Sequence, residues 1–217
     1  MKDKIVFITG AARGIGFEIG RAFAGQGATV VLSDLDTDEL SHAITGLGNH
    51  HSNSFGITCD VTQEASIKHA LDQTLEKYGR IDVLINNAGL QHVAPIEEFP
   101  VEKFEHLIKV MLVGPFMAIQ HILPTMKKQN FGRIINMASI NGLIGFANKA
   151  AYNSAKHGLV GLTKVAALEA AHYNITVNAL CPGYVDTALV RNQLAELAKT
   201  RNVELEKVLE EVIYPLV

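Results

Sequence analysis

The 217-residue chain predicts an α/β fold, a doubly wound parallel sheet with helices on both faces. Three observations predict it. Short unbroken apolar runs recur along the chain, as strands buried on both faces require. Helical apolar patterns alternate with them through short turns. The first run breaks at a glycine-rich turn that opens directly into a helical pattern. Such a sheet is expected to have the strand order 3-2-1-4-5-6.

The first strand is Ile5–Thr9, and Thr9-Gly10-Ala11-Ala12-Arg13-Gly14-Ile15-Gly16 breaks it before a helix over Gly14–Gly25. Free backbone N–H groups at the positive end of that helix suit a pyrophosphate. The spacing is G-x-x-x-G-x-G, which departs from the G-x-G-x-x-G fingerprint of Rossmann-type folds and is weak evidence by itself. Support comes from Asp34, which follows the second strand, Thr29–Ser33. A carboxylate there suits both ribose hydroxyls of NAD and repels the 2′-phosphate of NADP. Arg13 pulls weakly toward phosphate, and with Asp36 and Asp38 nearby Asp34 also reads as a strand-end turn residue.

Next come a helix over Thr37–Leu47, a strand at Ser54–Cys59, a helix at Gln63–Tyr78 and a fourth strand at Val83–Asn86. A long helix over Val101–Lys127, a fifth strand at Arg133–Met137, a helix at Ala150–Ala171 and a sixth strand at Thr176–Leu180 complete the alternation, with a looser helical tail after Thr187. Thr9, Asp34, Asp60, Asn86, Asn87, Ser139, Pro182 and Gly183 then fall at the carboxyl ends of strands, where open α/β sheets bind ligands.

Ser139, Tyr152 and Lys156 supply chemistry for that crevice. On a helix the i, i+4 spacing stacks the Tyr152 phenol and the Lys156 ammonium on one face. A nearby cation favours the phenolate, so Lys156 is expected to lower the pKa of Tyr152 and make it an acid or base toward an alcohol oxygen. Ser139 would hold that oxygen. Tyr and Lys also pair at this spacing on ordinary helix surfaces.

The net charge of -3 and the lack of a basic cluster argue against nucleic acid. Cys59 and Cys181 are isolated thiols without a metal-ligand pattern, pointing to a reducing compartment and no structural metal. Satisfied or solvent-facing roles suit the nine histidines. No signal peptide or run of eighteen apolar residues is read, so the expectation is a cytoplasmic protein with no membrane partner. Length fits a single domain over 1–217.

Together, Thr9-Gly-x-x-x-Gly-x-Gly16, Asn86-Asn-Ala-Gly89, Ser139, Tyr152-x-x-x-Lys156 and Pro182-Gly183 resemble the short-chain dehydrogenase/reductase family, in order and along the whole chain. Asn86-Asn-Ala-Gly-Leu-Gln-His92, Met126-Lys-Lys-Gln129, Phe131-Gly-Arg-Ile-Ile-Asn136, Asn148-Lys149, Ala155-Lys-His-Gly158 and Leu189-Val190 resemble its bacterial D-3-hydroxybutyrate dehydrogenase branch.

The resemblance implies an NAD-dependent enzyme. Tyr152 would be the acid/base, Lys156 would hold the nicotinamide ribose, and Ser139 would orient the substrate oxygen. Gly10, Arg13, Gly14, Ile15, Gly16 and Gly89 would border the dinucleotide. Asp60 and Val61 would contact adenine, and Asn87 would lie beside the adenosine ribose. Pro182, Gly183, Val185 and Thr187 would border the carboxamide. Gln91, Lys149 and Gln193 match three substrate-carboxylate positions of the branch, and Asn141 stands where its histidine would be.

Met111 replaces the family asparagine that supports a proton relay, and a thioether donates no hydrogen bond. Family members usually continue past Pro215 through another helix and a seventh strand, so this sheet is expected to lack that strand. The segment 186–213 is expected to be a mobile substrate lid. Pairing through the two long helices would give a homodimer or homotetramer. The implied reaction is oxidation of a small 3-hydroxy acid, D-3-hydroxybutyrate to acetoacetate. The alternatives are another alcohol such as a sugar or steroid, a 3-oxoacyl reductase, and a dinucleotide binder without catalysis.

Overall fold

A computed structural model of the chain describes residues 1–183 (backbone only at 51–53) together with Val185, Leu194, Ala198, Val203, Glu204, Lys207 and Val208. The chain divides into two compact units, Met1–Cys181 and Pro182–Val217. The first carries the whole described sheet. Its strands are β1 (Ile5–Thr9), β2 (Thr29–Asp34), β3 (Ser54–Thr58), β4 (Val83–Asn86), β5 (Gly132–Met137) and β6 (Ile175–Leu180). All described pairings are parallel, in the order β3-β2-β1-β4-β5-β6, which is the expected order.

Residue alternation decides what each face of β1 buries. Phe7 enters a core with Val31, Leu84 and Ile134 under α3 (Glu64–Tyr78), α5 (Gly114–Gln129) and α6 (Ala150–Ala170). Val6 and Ile8 enter the opposite core with Val30, Leu32 and Ile85 under α1 (Gly14–Gly25) and α2 (Thr37–Gly46). Each fully buried side chain of this size contributes roughly 1.5–3 kcal/mol, so a polar residue in either set would be costly. The unbroken apolar run in β1 is therefore a consequence of two-sided cover.

The long helix differs from expectation. It is α4 (Val101–Ile108), a π-helical turn over Lys109–Val113, and then α5. The cause lies in Gly114-Pro115. Pro115 has no N–H to give the carbonyl of Met111, and its ring would crowd that carbonyl in an unbroken α-helix. The ladder slips by one residue, and Gly114 N–H donates to Lys109 O, five residues back.

A second correction concerns apolar length. The stretch Val101–Gln129 has a window of mean hydropathy 1.5, long and apolar enough to cross a bilayer by composition. Half of that window is buried inside the protein, where Met117, Ile122 and Met126 pack under the sheet as parts of a core helix.

Two buried polar groups hold the sheet. Asp82 is fully buried at the amino ends of the strands, where its Oδ2 accepts from Ile5 N (3.0 Å) and Arg80 Nε (3.0 Å). Its Oδ1 accepts from Arg80 Nη2 and, at 3.4 Å, from Lys4 Nζ. Farther along, Asn86 Nδ2 donates to Asn136 Oδ1 (2.8 Å), and Asn136 Nδ2 donates to Thr163 Oγ1 (2.9 Å). That chain ties β4, β5 and α6 together just below the crevice.

Candidate active site

The crevice forms where the strand order reverses, between β1 and β4. Thr9 Oγ1 accepts from the backbone N–H groups of Asn87 (3.0 Å) and Ala88 (3.1 Å). Asn87 Nδ2 donates to Thr9 O (3.0 Å) and Gly10 O (2.8 Å), so its amide braces the glycine turn. The two strand ends approach so closely that a Cβ on Gly10 would lie 2.6 Å from the Ala88 Cα. Gly10 and Gly14 also adopt positive φ, 62° and 58°, which side chains resist. This turn therefore needs its glycines for both conformation and approach.

Asp34 closes the other wall. Its Oδ2 accepts from Ala12 N (2.9 Å) and its Oδ1 from Leu35 N (2.8 Å), which fixes the carboxylate beside the start of α1. Asp36 is the capping residue, accepting from Asp38 N and Glu39 N to begin α2. Arg13 is engaged by a residue the sequence reading missed. Its Nη1 donates to both Glu39 oxygens, at 2.6 and 2.7 Å, across an exposed surface. Nothing in the local sequence around either residue signals that pair, because 26 positions separate them.

Asp60 Oδ1 accepts from Thr62 N (2.8 Å) and Thr62 Oγ1 (2.7 Å), setting the turn that leads into α3. Val61 stands against Gly114, whose Cβ would lie 2.7 Å from Val61 O. A Cβ on Gly89 would lie 3.6 Å from Met111 Sδ, and Met111 is wholly buried in a cluster with Leu107, Ala151, Ala155 and Tyr152. The asparagine position is thus an apolar wall.

Ser139, Tyr152 and Lys156 do converge. Ser139 lies just after β5, and its side chain hydrogen-bonds the Tyr152 phenol. Lys156 Nζ donates to Met137 O at 2.5 Å and lies 5.5 Å from the centre of the Tyr152 ring. Burial lowers the Lys156 pKa to about 8, with the Cys181 thiol acting weakly in the opposite sense. The Tyr152 pKa moves up, not down as expected. Burial raises it, the Ser139 hydrogen bond pulls the other way, and burial wins. Lys156 does not reverse this, since its ammonium is directed to the Met137 carbonyl.

Lys149 is only 7% exposed at the start of α6, and burial lowers its pKa. Ala94 N donates to Asn148 O at 3.0 Å, which ties the loop carrying Gln91 to the turn carrying Lys149. Gln91 is half-buried and accepts from His92 N at 3.3 Å. Asn141 is also buried, but its amide Nδ2 donates to Asn153 Oδ1 at 2.9 Å. Pro182, Gly183 and Val185 belong to the second unit. Thr187 and Gln193 lie outside the described residues, as does most of 186–213.

Comparison with known proteins gives the family. The short chain dehydrogenase family model matches residues 4–198. The chain is 59% identical over 217 residues to the uncharacterized oxidoreductase YxjF of Bacillus subtilis, covering 100% of this chain and 84% of that protein. It is 41% identical over 218 residues to D-beta-hydroxybutyrate dehydrogenase of Rhizobium meliloti, covering 97% of this chain and 82% of that one. Among solved structures, NAD+-bound xylitol dehydrogenase is 33% identical with a TM-score of 0.88, covering 91% of this chain and 77% of the other. An NADPH-bound actinorhodin polyketide ketoreductase is 32% identical with a TM-score of 0.92, covering 98% and 83%. The chain belongs to the short chain dehydrogenase family and is an oxidoreductase.

Proposed function

We propose that the protein transfers hydride between NAD and a small 3-hydroxy acid, interconverting D-3-hydroxybutyrate and acetoacetate. The observation that carries this reading is Lys149, a buried lysine three residues before Tyr152 on the same helix start. A cation in this low-dielectric interior attracts a carboxylate strongly, and a neutral bulky alcohol offers it no such charge. Gln91 and Gln193 would add amide donors for the carboxylate. The 41% identity to a D-beta-hydroxybutyrate dehydrogenase supports the same choice.

The glycine turn fits a nicotinamide dinucleotide: close-packed glycines, the N-terminus of α1, and a fixed carboxylate at Asp34. Gly10, Gly14, Ile15, Gly16 and Gly89 would border the pyrophosphate side, Asp60 and Val61 the adenine, and Asn87 the adenosine ribose. Pro182, Gly183, Val185 and Thr187 would border the carboxamide. When bound, the dinucleotide supplies the hydride acceptor. Tyr152 takes the hydroxyl proton, Ser139 holds the oxygen, and Lys156 would hold the nicotinamide ribose.

NAD is favoured over NADP because Asp34 and Glu39 are both negative and Glu39 occupies Arg13. An open pocket of about 290 Å³ beside Arg13 and Glu39 has room for a phosphate. Glu39→Gln is therefore expected to raise kcat/KM for NADP relative to NAD about 5-fold, a modest change because exposed pairs are weak. Paired steady-state assays with the two dinucleotides check it; an unchanged ratio removes Glu39 from cofactor choice.

Val113, Phe116, Val165 and Leu168 are exposed on α5, α6 and the adjoining π-turn, and these helices are the proposed pairing surface of a homodimer or homotetramer. The two free thiols, Cys59 and Cys181, suit a cytoplasmic setting, which is part of the proposal. The test of function is NADH formation from D-3-hydroxybutyrate, run beside the L-isomer. Turnover confined to the D-isomer is expected. Turnover of neutral alcohols but of neither isomer overturns the assignment.

A further inference from the structure

We infer that Asn141 and Asn153 form an amide latch that positions Ser139 against Tyr152, so that Asn141 is a positioning residue for the reaction and not a ligand of the substrate carboxylate. The inference rests on the proposed alcohol chemistry for its meaning, and on the following contacts for its evidence.

Ser139 ends the β5 side of the site, and Tyr152 stands on α6, so two separate elements must be held in register. Asn141 touches both. Its backbone N–H donates to Ser139 Oγ at 3.2 Å, and its side-chain Oδ1 faces Ser139 Oγ at 3.4 Å. Its Nδ2 donates to Asn153 Oδ1 at 2.9 Å, and Asn153 is the residue after Tyr152. Asn153 Nδ2 then donates to Ile144 O at 3.4 Å, closing the 3₁₀ turn Ile140–Gly142 and its exit onto the helix. Donor meets acceptor at every step.

Burial makes the arrangement directional. Asn141 is 4% exposed and Ser139 is 8% exposed, so the bonds between these two are shielded from water, while Asn153 at the other end of the latch is half-buried. The turn also sits tightly on α6, since a Cβ on Gly142 would lie 2.8 Å from Lys156 O. Rotating Asn141 toward a substrate would release Asn153 and expose Ser139 Oγ to a different set of bonds. The site thus has Lys149 as its buried charge toward an anion, while the neutral amide serves geometry.

The test combines Asn141→Ala, Asn153→Ala and the double variant. Asn153→Ala is expected to lower kcat about 10- to 100-fold with little change in KM for the hydroxy acid, as misplacement without lost binding does. The double variant is expected to be no worse than either single one, because both cut the same latch. A KM increase in Asn141→Ala that adds to the effect of Asn153→Ala overturns the latch and returns Asn141 to the substrate.

A substrate-independent readout separates this from the choice of alcohol. Tyrosine ring-carbon NMR, with Tyr152→Phe to assign the signal, follows ionisation of the phenol. Ser139 acts on that ionisation and its own proton is shared with Asn141 Oδ1, so Asn153→Ala is expected to move the titration. An unmoved titration overturns the latch even if D-3-hydroxybutyrate proves not to be the substrate. Silence toward hydroxybutyrate with a shifted titration overturns only the substrate assignment.

Discussion

Tyr152→Phe is expected to lower kcat by about 10²–10⁴-fold, with dinucleotide affinity nearly unchanged. The substitution removes one oxygen from a ring that is otherwise packed in the cluster with Met111, Ala151 and Ala155. Folding and cofactor capture should survive, and the proton transfer should not. The pH dependence follows from the two shifted groups. Burial keeps the phenol protonated beyond its ordinary range, while Lys156 loses its proton at about 8.

In the proposed mechanism ketone reduction needs Tyr152 protonated and Lys156 charged, and the free enzyme has both below that pH. Reductive kcat/KM for the dinucleotide, which reports the free enzyme, should therefore hold below pH 8 and fall as the pH rises through it. Oxidation should instead rise with pH as phenolate accumulates. Lys156→Arg keeps its charge at all working pH values and should erase the fall. A wild-type reductive profile that is flat through pH 8 would contradict this account of Lys156.

The second large effect concerns stability. Asp82→Ala is expected to cost about 2–4 kcal/mol, read as a lower urea midpoint at unchanged slope. The carboxylate is fully buried and gathers Ile5 N–H, Arg80 and Lys4 at the amino ends of β1 and β4. Its loss strands a buried backbone donor and leaves two cations facing each other. Asp82→Asn retains an acceptor and should cost less. Activity of the folded variant should stay near wild type, since the crevice is at the opposite ends of the strands. A midpoint within experimental error of wild type would show that solvent replaces these bonds.

What the sequence made legible was periodicity and local spacing. Apolar runs with two-sided burial disclosed all six described strands, and the Tyr152 and Lys156 spacing disclosed a shared helix face. A slip of one residue at Pro115 is nearly invisible to periodicity, because α4 and α5 each keep a regular pattern. Asp82, inside Arg80-Ile81-Asp82-Val83, reads as an ordinary residue before a strand until Ile5 is placed beside it. Glu39 and Asn153 escaped for a similar reason: each matters through a partner brought by folding, Arg13 in one case and Asn141 in the other. The direction of the Tyr152 shift also depended on burial, which spacing does not report.

The π-turn at Lys109–Val113 has a mechanical consequence. One surplus residue turns the phase of α5 by about 100° relative to a straight continuation of α4. Met117, Ile122 and Met126 thereby face the main core under the sheet, while Leu107 and Met111 face the smaller cluster with Tyr152. The same offset that Pro115 imposes is what lets one long helical segment serve both the sheet and the wall behind Gly89.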